Sequence, residues 1–334
     1  MQEEVSIPDG SNRNGTALAR AFTDEEIDSL VKGLESLQGG PMTAAALVGC
    51  GPRAIPPLRS FLLQGRPRGI FQPRQLAVET LAQLGAKDVL LEYLNTPVMI
   101  KDAVARQGED AVRSTAAREL ARWQTEDIFE CLQRVGLEHL LPGVVEALGT
   151  FGRTETMPYF LWALGDGVCR SYAEEAIRGL GEAARPLLMD AASARSPSAE
   201  EESPASVQRR RWVLRILSDL KIPENDWARL RELLEEDDPE IAITTARIAL
   251  AIAPPHDKSR GIHRLIEMLP CAGWFLRTEA RAALAEHFAF AQEAVEGEIA
   301  RRMTSGRKEQ ALDVVLRLLV NLRKQALEAG LARH

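Results

Sequence analysis

A basic side chain recurs at a fixed place along this 334-residue chain, and repeated arginines could bind an anion. A small residue follows each one after three positions, and apolar residues follow after seven and ten, except that His287 stands ten positions after Arg277. These offsets lie on one side of a helix, so the arginine shares the sector of an apolar stripe. We therefore expect its guanidinium to bond helix-end carbonyls or acidic turn residues such as Asp110 and Asp166, rather than a ligand. The copies begin at Arg74, Arg113, Arg170, Arg210, Arg277 and Lys308, and two more begin at Leu141 and Ile243.

The histidines and cysteines do not form the patterns of a metal site or a catalytic centre. Five histidines are present, without an HExxH motif, and His263 with Glu267 supplies two ligands on one helix face where a zinc site needs three or four. The four cysteines are widely spaced and lie in apolar contexts, which is typical of buried free thiols in a reducing cytoplasm. Without a phosphate-binding loop or a nucleophile elbow, we expect no cofactor, no metal and no catalysis.

The elements that carry these residues are short helices, several of which end in Leu-Gly or a close variant. Leu84-Gly85, Phe151-Gly152 and Leu180-Gly181 end three of them, and Cys50-Gly51 is a weaker copy. Recurrence about every 30 to 40 residues predicts a helical-repeat protein of roughly nine helix pairs. In each second helix the residue seven positions into the template is expected to be buried. Those residues are Leu81, Leu120, Leu148, Ile177, Leu217, Leu250, Leu284 and Val315.

Residues 51–63 followed by residues 74–85 resemble the HEAT-like repeats of the type named after phycobilisome lyases. Residues 152–181 and 237–253 are similar, and the resemblance extends over nearly the whole chain from about residue 22. It implies an all-α, armadillo-like fold: a right-handed α-solenoid of stacked helix pairs, whose second helices line the concave face. It also implies a ladder of Asp and Arg side chains that ties successive units together.

The sequence also predicts segments outside the repeats. Residues 22–328 are expected to form the solenoid, residues 1–21 and 329–334 to be disordered tails, and residues 195–206 to be a flexible insertion. A second long loop is expected at residues 96–110. No apolar run approaches the roughly 18 residues of a membrane span, and no secretory signal is recognisable, so we expect a cytoplasmic location.

The charge balance and the repeat type narrow the class of function. Lys plus Arg number 41 and Asp plus Glu number 48, for a net charge of −7, which disfavours a dedicated nucleic-acid binder. We expect a non-catalytic scaffold, monomeric or weakly oligomeric, that binds a protein or peptide on its concave face. The alternatives are a bilin-lyase-like enzyme and a HEAT-like protein that binds or modifies nucleic acid.

The expected partner site lies on the side of the second helices that faces away from the apolar stripe. Charges of both signs alternate there, which suits a protein partner better than a phosphate backbone. Ile248 and Ile252 lie one turn apart on this side, near two arginines, and would form an exposed apolar patch for a partner. The alternative is that residues 241–252 form a helix that is buried all round. The acidic residues 200–202 are expected to occupy those arginines when no partner is bound. The expected partner-binding residues are Arg118, Arg122, Glu175, Arg211, Arg215, Ile248 and Ile252.

Overall fold

The computed structural model describes residues 22–194, 202–304 and 313–330. Every regular element in these ranges is a helix and none is a strand, which confirms the predicted all-α class. The expected tail at residues 1–21, residues 195–201 of the expected insertion and residues 331–334 lie outside the described residues, as does Lys308. The chain divides into two compact units, Met1–Glu119 and Leu120–His334.

The first unit contains two layers of helices. Helices α1 and α5 both pack against α3, while α2 and α4 pack against each other, and α4 also contacts α3 and α5. The expected long loop at residues 96–110 is shorter than expected, because α6 begins at Ala103. The helices are α1 (Asp24–Gly33), α2 (Gly40–Gly49), α3 (Ile55–Gln64), α4 (Gln72–Gln83), α5 (Lys87–Asn95) and α6 (Ala103–Ala121), with a 3₁₀ turn at Gly51–Ala54.

The second unit begins with α7 (Glu126–Glu138), α8 (Pro142–Phe151), α9 (Met157–Ala163), α10 (Arg170–Leu180), α11 (Arg185–Ser193) and α12 (Pro204–Asp219). It continues with α13 (Trp227–Leu230), α14 (Pro239–Ile252), α15 (Pro255–Met268), α16 (Trp274–Glu286), α17 (Phe288–Met303) and α18 (Val314–Glu328). Shorter 3₁₀ segments are Thr154–Thr156, Gly181–Ala184, Glu224–Asp226 and Arg231–Glu235.

Most second helices of this unit contact the next second helix along the chain. Helix α8 packs against α10, and α12, α14, α16 and α18 form a continuous series of neighbours. The first helices α15 and α17 also pack against each other. Helix α12 begins at Pro204, with the Ser203 hydroxyl accepting the Ser206 N–H, so the described end of the expected insertion belongs to a capped helix.

The helix ends follow the local sequence. Thr23 and Glu26 form the capping box that their spacing predicts: each side chain accepts the backbone N–H of the other residue. The four Leu-Gly-type junctions all place their glycine at positive φ, at 67° for Gly51, 73° for Gly85, 61° for Gly152 and 56° for Gly181. A side chain disfavours this backbone conformation, so glycine ends the helix there.

The repeat template correctly predicts the core. All eight residues at the seventh offset are buried, with exposures from 0% to 4%. Each belongs to a second helix and lies on the side that the helical period makes apolar. The apolar stripe therefore provides the packing that holds each pair together.

Candidate partner-binding surface

Four of the template arginines bond the ends of first helices, as predicted, whereas Arg170 instead lies over the Trp212 ring. Arg74 donates to the Leu62 carbonyl at 2.8 Å, and Arg113 donates to the Leu94 carbonyl at 2.5 Å. Arg210 and Arg277 donate in the same way, to Ala192 at 2.8 Å and to Leu269 at 2.9 Å. Carbonyls at the end of a helix lack an N–H donor from the same helix. Each guanidinium supplies that hydrogen bond to the helix that precedes its own along the chain.

The acidic partners differ from those expected at these positions. Asp110 pairs with Arg106 one turn earlier on α6, at 3.1 Å, and Asp166 accepts the backbone N–H groups of Val168 and Cys169, both at 2.8 Å. Glu109, which the sequence analysis did not single out, is instead the carboxylate that contacts Arg74. It is 4% exposed, so this bond lies inside the first unit.

Arg211 and Arg215 lie together at the start of α14, where they meet two acidic side chains. The Nε atom of Arg211 is 3.1 Å from Asp238, the N-cap of α14, and that of Arg215 is 2.8 Å from Glu240. Burial would raise the pKa of Asp238, but the Arg211 hydrogen bond and the N–H groups at the helix start outweigh it and lower the pKa. Both arginines are thus partnered within the chain.

Arg215 also belongs to a group of cationic and aromatic side chains. Its guanidinium lies 5.0 Å from the centre of the Trp212 ring and 5.3 Å from the centre of the Phe275 ring. The Arg170 guanidinium also lies 5.0 Å from the Trp212 ring centre. At these distances a cation is attracted to the ring face. We call Arg170, Trp212, Arg215 and Phe275 the aromatic–arginine group; it joins α10, α12 and α16.

The group ends in aromatic residues that face solvent. Phe275 is 51% exposed and its neighbour Trp274 is 80% exposed, both in the first turn of α16. Sequence reasoning did not single out either residue, although two consecutive large aromatics at the start of a helix were a visible signal. Exposed aromatic side chains beside an arginine are the residue types that carry binding energy at protein interfaces.

Ile248 and Ile252 line a cleft of about 290 Å³ between α14 and α16, which we call the α14–α16 cleft. Ile248 is only 4% exposed and Ile252 is half-buried. The expectation of an exposed isoleucine pair was therefore wrong for Ile248, and α14 is the deeply buried helix that was the alternative. Ala282, on α16, lines the opposite side and is exposed. Arg247 and Glu279 form an ion pair of 3.2 Å between the two helices.

The remaining expected residues lie elsewhere. Arg118 is half-buried on α6 within the first unit, Arg122 is exposed one residue past that helix, and Glu175 is exposed on α10. Among the expected acidic occupants only Glu202 lies within the described residues. It pairs with Arg210 at 2.7 Å rather than with Arg211 or Arg215, because its position before α12 faces the buried side of the helix.

The described ranges also bear on metal binding and on membrane insertion. No group of three or more His, Cys, Asp or Glu side chains there could hold a metal ion. None of the described helices combines the length and the apolar character needed to cross a bilayer. Cys131 and Cys169 are buried and Cys50 is half-buried, but Cys271 is exposed beyond the end of α15, so the prediction of four buried thiols was wrong for that residue.

No protein-family model matches this chain, and no curated protein matches it.

Proposed function

We propose that this chain is a non-catalytic scaffold, built as a right-handed α-solenoid of roughly nine HEAT-like helix pairs, that binds a protein through α12, α14 and α16. The chain-order contacts of the second helices and the arginines that complete the first helices support the repeat architecture. The binding surface consists of the aromatic–arginine group, Trp274 and the α14–α16 cleft.

One observation carries the proposal: the exposure of Trp274 and Phe275 beside Arg215. A monomeric protein rarely leaves two adjacent large aromatic residues in water unless they contact a partner. Phe275 is also held by Arg215, so it loses less conformational freedom when a partner covers it. A pre-ordered aromatic anchor of this kind makes a stronger binding residue than a mobile one.

The surface favours a partner that is amphipathic rather than strongly charged. Arg211 and Arg215 are matched by Asp238 and Glu240, so a phosphate backbone would have to displace existing ion pairs. Trp274 and Ala282 are eight residues apart on α16, which corresponds to about 12 Å along a helix. A partner helix of two to three turns could cover both with apolar side chains on one face.

The test is capture of partners from the native cell extract by the full chain and by a Trp274→Ser, Phe275→Ser variant. We expect a specific partner to bind the wild type and to be lost by the variant. Phe290→Ser is the matched control, because Phe290 is 50% exposed on α17, outside this surface. Because all three side chains are exposed, the free energy of unfolding should change by no more than about 0.5 kcal/mol.

Two results would contradict the proposal. The first is a partner that binds wild type, the Trp274–Phe275 variant and the Phe290 variant equally, because the contact would then lie elsewhere. The second is tight, salt-sensitive binding of double-stranded DNA in a gel shift, which would favour the nucleic-acid alternative.

A further inference from the structure

A second cleft, of about 310 Å³, opens in the first unit, where the loop between α3 and α4 meets the residues after α1. Phe61, Ile70 and Pro73 form its apolar wall, and Ile70 is 62% exposed. We call it the α3–α4 cleft. None of its lining residues belongs to the surface proposed above, and Ile70 leaves part of its apolar wall exposed to solvent.

The charges around the α3–α4 cleft favour an acidic ligand. Arg66 and Arg68 line it and are both exposed, whereas Glu35 is the carboxylate on the lining. Arg68 lies 4.0 Å from Glu35 with both side chains more than 60% exposed, so water weakens this pair. Arg74 also lines the cleft, but its charge is already balanced by Glu109. The exposed rim therefore carries a surplus of positive charge.

We propose that the α3–α4 cleft binds residues 3–9 of this same chain, which lie outside the described residues. This segment, Glu-Glu-Val-Ser-Ile-Pro-Asp, holds three carboxylates and no basic side chain. Val5 and Ile7 are two positions apart, so they lie on one side of an extended backbone, and Pro8 favours that backbone at Ile7. In the proposed complex the two apolar side chains would contact Phe61 and Ile70, and Glu3 and Glu4 would pair with the rim arginines.

The segment can reach the cleft within one molecule. Phe22 and Glu35 stand at opposite ends of α1, whose ten residues span about 15 Å. Twelve residues separate Asp9 from Phe22, and an extended chain of that length covers about 40 Å. A tether of this kind gives an effective concentration in the millimolar range, so a weak contact is enough for occupancy.

Hydrogen–deuterium exchange of the full chain at low ionic strength tests the proposal. We expect the amides of residues 3–9 to exchange about threefold or more slowly in the wild type than in an Arg66→Glu, Arg68→Glu variant. High salt should abolish the difference, because it screens exposed charges. Adding Glu3→Arg and Glu4→Arg to that variant should restore the slow exchange.

Lys101→Glu is the control for a general change of charge, because Lys101 is exposed in the same unit and does not line the cleft. In the Lys101→Glu variant, the amides of residues 3–9 should exchange at the same rate as in the wild type. Far-ultraviolet circular dichroism should show that every variant keeps its helices. The proposal is overturned if wild type and the Arg66, Arg68 variant exchange equally, whether fast or slow. Protection that increases with protein concentration would also overturn it, because the occupant would then be a second copy of the chain.

Discussion

The Nε atom of Arg210 donates a hydrogen bond of 2.8 Å to the carbonyl oxygen of Ala192, in the last turn of α11. The Arg210 side chain is 1% exposed, and its other nitrogens lie 2.7 Å from Glu202 and 2.5 Å from Glu236. One arginine thus serves a helix-end carbonyl and two carboxylates largely out of contact with water. Arg277 makes the same carbonyl bond to Leu269 in a more open place.

Replacing Arg210 by Met should destabilise the protein by about 3 to 5 kcal/mol, because two carboxylates would lose their buried partner. Arg277→Met should cost only about 1 kcal/mol, since water can reach the carbonyls that it leaves. Urea denaturation near neutral pH measures both values. Equal losses at the two positions would show that burial of the partners is not what sets the effect.

Leu217→Ala should cost about 2 to 5 kcal/mol, because it leaves a cavity at a fully buried template position on α12. Leu187→Ala on α11 is the matched control. Because Leu187 is 39% exposed, its replacement should lower the free energy of unfolding by much less. Thermal or urea unfolding reports the difference. A small loss at Leu217 would mean that the neighbouring helices can collapse into the space.

Replacing either of two glycines by alanine should change the stability of the protein, in opposite directions at the two positions. Gly152 has φ of 61° and Gly179 lies within α10, and neither would bring a new Cβ within 4 Å of another atom. Gly152→Ala should therefore destabilise through backbone strain alone, by about 1 kcal/mol. Gly179→Ala should stabilise by about 0.5 to 1 kcal/mol, because alanine favours the helix. The shifts in unfolding midpoint should have opposite directions.

Asp257 should make stability depend on acidic pH. It is 3% exposed and accepts the Trp227 Nε1–H at 2.8 Å. Burial would raise its pKa, but the Trp227 bond and the charges of Arg231 and Arg260 together lower it. A carboxyl with a lowered folded-state pKa contributes stability above its unfolded pKa of about 3.9, and that contribution is lost as the pH falls through the folded value.

The Asp257→Asn variant should consequently have a lower unfolding temperature than the wild type at about pH 6. Between about pH 6 and pH 2.5, its unfolding temperature should fall by less than that of the wild type. Thermal unfolding followed by circular dichroism at both pH values gives the comparison. Parallel losses in the two proteins would assign the acid sensitivity to other carboxyl groups.

The features that the sequence predicted depend on residues close together along the chain. The Leu-Gly junctions require a local backbone conformation, and Thr23 bonds Glu26 three residues away. Leu217 is buried because of the helical period, and Arg210 reaches a carbonyl 18 residues earlier within one helix pair. Period and turn chemistry are sufficient for all of these.

The features that were missed depend on how separate helices meet. Phe275 reaches Arg215 across 60 residues, and no periodic pattern relates the two positions. Ile248 points away from the apolar stripe of its own helix, yet it is buried because α14 has both α12 and α16 as neighbours. A rule that treats each helix alone assigns that side to solvent, so it could not decide which isoleucine is exposed.

The two kinds of bond made by Arg210 also set an order in time as the chain leaves the ribosome. Ala192 is already synthesised when Arg210 appears, so the carbonyl bond can form as soon as α12 emerges. Glu236 follows 26 residues later, and until then one side of the guanidinium has to be hydrated. The pair formed by α11 and α12 could therefore make its internal carbonyl bond before the helices that follow it have been synthesised.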